Sequence, residues 1–95
     1  MASIGVLTLE LRLENSHSLK DKRHVVQSLK ERLRNKFNVA VAEIDYQDLW
    51  ARAAVAAVTV SSDHVHAEKV LQAVEQEAAA LLGAQLAEAT VEWLA

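Results

Sequence analysis

The stretch that decides the fold is IGVLTLELRLE, residues 4–14. Its side chains divide between two faces: Leu7, Leu9, Leu11 and Leu13 on one, and Val6, Thr8, Glu10 and Arg12 on the other. This period of two is typical of a β-strand with one buried and one largely polar face. Such a strand is stable only beside further strands and against an apolar layer that covers its leucines.

The segment that follows, SLKDKRHVVQSLKERLRNKF (residues 18–37), predicts an amphipathic helix that supplies part of this layer. A turn is expected at residues 15–17. Ser18 followed three residues later by Asp21 is a capping-box pattern, and Asn38 is a suitable stop. The apolar residues recur at spacings of three and four, at Val26, Leu29, Leu33 and Phe37.

Three more strands and a second helix are predicted downstream. The strands are expected at residues 39–46, 52–61 and 85–94, and the helix begins at Ser62 or Asp63 and ends near Gly83. The predicted inward positions of this helix are Ala67, Val70, Leu71, Val74, Ala78 and Leu81.

The order strand, helix, strand, strand, helix, strand defines the fold class. Two right-handed βαβ crossovers in this order give an α+β, ferredoxin-like βαββαβ fold, in which a four-stranded antiparallel sheet carries two helices on one face. Ninety-five residues are expected to form a single domain, residues 1–95.

Composition argues against several classes of function. The chain has no Cys and only two Gly, which speaks against thiolate chemistry and glycine-rich phosphate loops. No apolar run approaches the length of a membrane span, and no signal peptide is evident, so a cytoplasmic protein without a membrane segment is expected. His64 and His66 lack convergent partners for a metal, and Asp45 and Asp48 lack a nucleophile. We therefore expect no cofactor, no metal and no enzymatic activity.

The positive charge is concentrated on the first helix. The net charge is −3, yet residues 18–37 hold seven of the ten Lys and Arg residues. Helical spacing places a polar surface, called here the basic ridge, along one flank of the apolar stripe. Its residues are Lys20, Arg23, Gln27, Lys30 and Arg34. The other flank is expected to carry Lys22, Arg32 and Lys36.

The basic ridge has two interpretations. As a functional surface it would bind phosphates of RNA or of a ribosomal subunit. As a solvated face, its cations would only cover the edges of the apolar stripe with their aliphatic stems. Base stacking on the sheet, as in RNA-recognition motifs, is not expected, because residues 4–14 and 52–61 contain no aromatic residue.

A second candidate surface lies in IDYQDLWARA, residues 44–53. Its candidate partner-binding residues are Tyr46, Asp48, Trp50 and Arg52. The alternative is that Trp50 covers the end of the core while Asp48 pairs with Arg52. The alanine-rich strand RAAVAAVTVS also allows a protein-interaction or homodimeric module, although the glutamates expected on the outer sheet face would then need partners.

Residues 18–63 resemble the YlxP-like family of small bacterial proteins, whose domain has no known function. The matching elements are SLKDKR, RLRNKFNV, the AE of VAVAEIDY, WARA and VSSD. The resemblance implies a ferredoxin-like fold. It also implies a link to translation, because such genes tend to lie near those of an initiation factor and a ribosome-binding factor. It implies no established activity.

Overall fold

A computed structural model describes residues 1–95 as six main elements in the predicted order. They are β1 (Ser3–Arg12), α1 (Leu19–Lys36), β2 (Ala40–Asp45), β3 (Arg52–Ser61), α2 (His64–Leu82) and β4 (Leu86–Trp93), with a short 3-10 turn at Gly83–Gln85. The predicted ferredoxin-like fold is confirmed.

The sheet is antiparallel throughout, with the strand order β2-β3-β1-β4. The opening stretch therefore lies at its centre: Leu9 pairs with Val55 of β3 on one side and with Ala89 of β4 on the other. Partners in an antiparallel pair point to the same face, so the leucines of β1 set which residues of the neighbouring strands face the helices.

The core lies between this face and the two helices. Leu7, Leu9 and Leu11 of β1 pack in one apolar cluster with Val26, Leu29 and Leu33 of α1 and with Leu71 and Val74 of α2. The inward prediction for α2 is wrong at Leu81, which is 36% exposed, whereas Leu82 is 6% exposed. Leu82 continues the spacing of four from Ala78, which keeps it on the buried side of the helix.

The helix ends follow the capping signals. The Ser18 hydroxyl accepts a hydrogen bond from the Asp21 amide at 3.1 Å, and the Asp21 carboxylate accepts one from the His17 amide at 3.0 Å. Asp63 caps α2 by accepting from the Val65 amide at 3.0 Å. Gly83 follows α2 with φ +57°, a backbone conformation that a side chain disfavours.

The outer face of the sheet has no helix over it and is divided in composition. One end carries Ile4, Val6, Val58 and Val60, with Ala40 and Ala42 of β2 beside them. The opposite end carries Glu10, Arg12, Arg52 and Glu88. The outward direction expected for Thr8, Glu10 and Arg12 is thus confirmed, because they alternate with the buried leucines.

Candidate nucleic-acid interface

Two of the cations expected on the second flank of α1 are paired with one carboxylate of α2. The Arg32 Nη1 lies 3.0 Å from Glu77 Oε2, and the Lys36 Nζ lies 2.7 Å from Glu77 Oε1. Hydrogen bonds from Lys36 and then Arg32 lower the pKa of the Glu77 carboxyl below its ordinary value. Glu77 thus bridges both cations to α2 and balances one of their two charges, while their side chains stay half-exposed.

Lys22 does not lie on the exposed flank, so that expectation is wrong. Its side chain is buried, and the residue is 1% exposed. Its Nζ donates to the carbonyl oxygens of Tyr46 at 2.8 Å, Gln47 at 3.2 Å and Arg52 at 3.3 Å. At 100° per residue, its direction falls between those of Leu29 and Leu33, in the middle of the apolar stripe. The aliphatic part of the Lys22 side chain therefore packs at the edge of the core, and its terminal ammonium group binds the backbone carbonyl oxygens that lie over this edge.

The Lys22 ammonium is also paired with a buried carboxylate. Glu43 Oε2 lies 3.0 Å from Nζ. That oxygen is buried and accepts no hydrogen bond of good geometry, so the ion pair is its only compensation. A buried carboxylate needs such a partner, because desolvation of the charge is costly. Lys22 therefore joins the start of α1 to β2 and to the connection between β2 and β3.

The remaining cations of the segment form the basic ridge. Lys20, Arg23, Lys30 and Arg34 have no carboxylate within salt-bridge distance, in contrast to Lys22, Arg32 and Lys36. Over fourteen residues of helix they extend about 21 Å. Of the seven cations in residues 18–37, four thus remain without an ion pair, all on one side of α1.

The ridge borders a shallow depression at the start of α1. It is lined by Lys20, Asp21, Arg23, His24 and Gln27. The Gln27 amide donates to Glu31 at 3.2 Å, so this ridge residue is already in use within the helix. The Asp21 carboxylate already accepts the hydrogen bond from the His17 amide at the start of α1. The available positive groups of the depression are therefore Lys20 and Arg23.

The connection Tyr46–Arg52, called here the Trp50 loop, is held by unusual contacts. Tyr46 has φ +63°, a conformation that non-glycine residues adopt rarely. The Arg52 guanidinium lies 4.1 Å from the centre of the Tyr46 ring, and the Tyr46 hydroxyl lies 3.4 Å from Glu10 Oε1. Together with the three carbonyls bound by Lys22, these contacts fix both ends of the loop.

The predicted pairing of Asp48 with Arg52 is wrong. Arg52 Nη2 instead lies 3.8 Å from Glu10 Oε1. Glu10 pairs with Ala54 across β1 and β3, so it is one alternate position from Arg52 on the outer face. Diagonal neighbours at this distance are within reach of long side chains. Asp48 is left without an ion pair at the loop surface.

Trp50 does not cover the core, so that expectation is wrong too. It is 46% exposed, and the neighbouring Leu49 is 47% exposed. The nearest aromatic ring is that of His17, with 6.1 Å between the ring centres and an angle of 44° between the planes. The loop therefore holds a large aromatic group out from the body of the protein, beside the start of α1.

His64, at the start of α2, contacts other side chains of the same protein. His64 Nε2 lies 2.8 Å from Glu68, and the centre of its ring lies 4.2 Å from the centre of the Trp93 ring.

No three His, Asp or Glu side chains come together in a way that could hold a metal ion. Neither helix has the length and apolarity needed to cross a membrane.

The fold brings together Lys22, Glu43 and Arg52, which belong to three separated stretches of sequence. Sequence reasoning placed Arg23 and Arg34 correctly on an exposed flank, where Lys30 is half-buried, but missed the buried role of Lys22. The one signal that could have revealed it is its angular position, at the centre of the apolar stripe.

The chain is a compact ferredoxin-like protein, and it belongs to the family described as "Protein of unknown function (DUF503)", whose model matches residues 4–91. Its sequence is similar to that of the uncharacterized protein YlxP of Bacillus subtilis (strain 168). The two are 44% identical over 71 residues, which make up 75% of this chain and 77% of YlxP. The expected family is thus confirmed.

Solved structures share the fold at low sequence identity. The de novo designed protein Foldit4 matches with a TM-score of 0.64 and 13% identity, covering 100% of this chain and 98% of its own. A dimeric ferredoxin-like protein of unknown function from Thermobifida fusca YX matches with a TM-score of 0.52 and 17% identity, covering 97% and 91%. These similarities concern the fold alone.

Proposed function

We propose that this protein is a non-enzymatic, cytoplasmic binding module that attaches to RNA, including the RNA of a ribosomal subunit, through the basic ridge. The observation that carries the proposal is the unequal use of the cations of α1. Three are paired with carboxylates of the same chain, whereas Lys20, Arg23, Lys30 and Arg34 stay unpaired on one side of the helix. On a protein of net charge −3, this leaves a local positive surface on an acidic body.

The chemistry of the ridge suits a phosphate backbone. Arg23 and Arg34 offer forked guanidinium donors, and Lys20 and Lys30 add point charges along the same side. Contacts of this kind position a nucleic acid without reading its sequence. The outer sheet face does not compete for phosphate, because Glu88 and Glu92 of β4 lie on it.

A charge-matched comparison tests this proposal. Arg23→Glu/Arg34→Glu changes the net charge by the same amount as Arg12→Glu/Lys69→Glu, whose two cations also lack ion pairs but lie outside α1. We expect the ridge variant to lose binding to RNA and to purified ribosomal subunits, and the control to keep most of it. Equal binding by both variants contradicts the proposal.

The salt dependence provides a second measurement. Each phosphate neutralised adds about 0.7–0.9 to the slope of log K against log salt concentration, so four ridge cations predict a slope near 3. Co-sedimentation with ribosomal subunits should therefore be seen at low salt and lost at high salt. A flat salt response contradicts binding through the ridge.

A second candidate function is a protein-interaction or homo-oligomeric module, favoured by the apolar end of the outer sheet face. Ile4, Val6 and Val58 are adjacent there, and Val60 is 57% exposed. A second copy packed face to face would bury this apolar surface, and Ala40 and Ala42 allow close approach, but Glu92, opposite Val6, would need a partner in the interface. Sedimentation over a range of concentrations tests it: Val58→Glu should abolish a salt-resistant dimer, and a monomer at every concentration counts against it.

A further inference from the structure

We propose that the Trp50 loop stacks an unpaired base, so that the RNA held by the basic ridge is single-stranded. This inference rests on the proposed function, since without phosphate binding at the ridge no strand is brought to the loop. It goes further by assigning a role to Trp50 and by naming the class of RNA.

Trp50 differs from the other aromatic residues of the chain. Phe37 and Trp93 are partly buried against the core, and the Tyr46 ring is covered by the Arg52 guanidinium. Trp50 is 46% exposed and lies outside the core cluster, and His17 is the aromatic residue beside it. Exposed aromatic rings beside cations are the usual platforms for unpaired bases, because every base has a π-face that can stack.

The loop is rigid for a surface segment. Lys22 binds the carbonyls of Tyr46 and Gln47 on one side of Trp50 and that of Arg52 on the other. The Ala51 carbonyl accepts from the Leu13 amide at 2.8 Å, and the Leu49 amide donates to the Tyr46 carbonyl at 3.0 Å. Trp50 lies between these fixed points. A loop whose backbone is held in place before binding loses less entropy when a base stacks on its side chain.

The same contacts join the loop to the ridge. Arg23 follows Lys22 directly in α1, and it lines a second depression together with Gln47 and Asp48 of the loop. His17, the neighbour of Trp50, gives its amide proton to Asp21 at the edge of the first depression. A strand whose phosphates lie on Lys20 and Arg23 therefore passes beside Trp50.

Charge separates the two parts of this surface. Asp48 disfavours a phosphate at the loop, whereas an uncharged base is not repelled there. The ridge offers charge but no free aromatic ring. The arrangement fits a strand whose backbone follows α1 and whose base turns toward Trp50, and it does not fit a duplex, in which the bases stack on one another.

The experiment uses Trp50 fluorescence. In a Trp93→Phe background Trp50 is the only tryptophan, so quenching reports on it alone. The protein is titrated with an unstructured RNA oligonucleotide and with the same oligonucleotide annealed to its complement. We expect quenching by the single strand and little by the duplex. Trp50→Ala should weaken single-strand binding roughly 5- to 150-fold and leave duplex binding unchanged, while Trp50→Phe retains part of the affinity.

The outcomes separate this inference from the proposed function. The stacking role is overturned if the single strand does not quench Trp50 in the Trp93→Phe protein and Trp50→Ala binds that strand as tightly as its parent. If Arg23→Glu/Arg34→Glu has lost binding in the same series, the ridge still binds RNA. If the ridge variant binds as its parent does, the proposed function fails. Because Trp50 is exposed, Trp50→Ala should unfold at nearly the same urea concentration as the parent, which shows that any loss is not a folding defect.

Discussion

Removal of the buried ammonium group should show how much of the fold depends on Lys22. The substitution Lys22→Met keeps a straight side chain of similar length in the apolar stripe and deletes the charge. Three carbonyl oxygens then lose a donor, and Glu43 Oε2 loses the only group that compensates its burial. Loss of one partner from a buried ion pair typically costs about 3–5 kcal/mol.

That cost is large for a protein of this size, since small domains are stable by only about 5–15 kcal/mol in total. For a domain of roughly 100 residues, each kcal/mol lowers Tm by about 4–8 °C, so the expected drop is about 12–40 °C. Urea unfolding followed by circular dichroism gives the free energy of unfolding. Lys20→Met is the matched control, because Lys20 is exposed two residues away and should cost less than about 0.5 kcal/mol.

A double variant tests the assigned cause. Lys22→Met/Glu43→Leu removes the stranded carboxylate along with the ammonium, so it should recover a substantial part of the lost stability. One unsatisfied buried polar group alone costs about 1–3 kcal/mol. If the free energy of unfolding of Lys22→Met differs from that of the parent by less than about 1 kcal/mol, Lys22 does not organise the loop. A double variant less stable than the single one would show that the carboxylate is not the group left uncompensated.

Three further predictions follow from other contacts. Gly5→Ala should destabilise the fold by about 1–3 kcal/mol, measured by urea unfolding, because a Cβ would lie 2.7 Å from both Leu71 Cδ1 and Trp93 Cζ3; an unchanged midpoint would contradict the tight packing there. Glu77 has a lowered pKa in the folded state, so its contribution is present above the ordinary glutamate pKa and is lost as the pH falls through the lowered one. Glu77→Gln should therefore flatten the decline in stability at acidic pH, and a decline as steep as that of the parent speaks against this role. Asp48→Asn should strengthen RNA binding at low salt, since it removes a negative charge beside Arg23; weaker binding would place Asp48 among the contacts of a different partner.

The fold was predictable because several local signals agree. The alternation of β1, the cap at Ser18, the cap at Asp63 and the glycine after α2 each point to the same arrangement. The register of the sheet follows from the leucines of β1, which must all face the helices. The exposed flank of α1 was predictable for the same reason, since an apolar stripe defines the opposite side of its helix.

The contacts of individual charges were not predictable from the sequence. A lysine in an amphipathic helix is normally assigned to water, and only the fold places the carbonyls of Tyr46, Gln47 and Arg52 over the end of its side chain. Likewise, Arg52 meets Glu10 through the register of two strands that are distant in sequence. For Trp50 the sequence left two interpretations open, a contact residue or a cover for the end of the core, and only the loop conformation decides between them by leaving it 46% exposed.

The pairing of β1 with β4 has a consequence for how the protein is made. β1 lies between β3 and β4, with Gly5 opposite Trp93 of β4, so one edge of β1 stays bare until β4 has been synthesised. Until then only the β2–β3 hairpin can close between neighbours in sequence. A nascent chain that has already paired β1 with β3 thus still exposes the other edge of β1, and an unpaired strand edge of this kind is prone to aggregation before folding is complete.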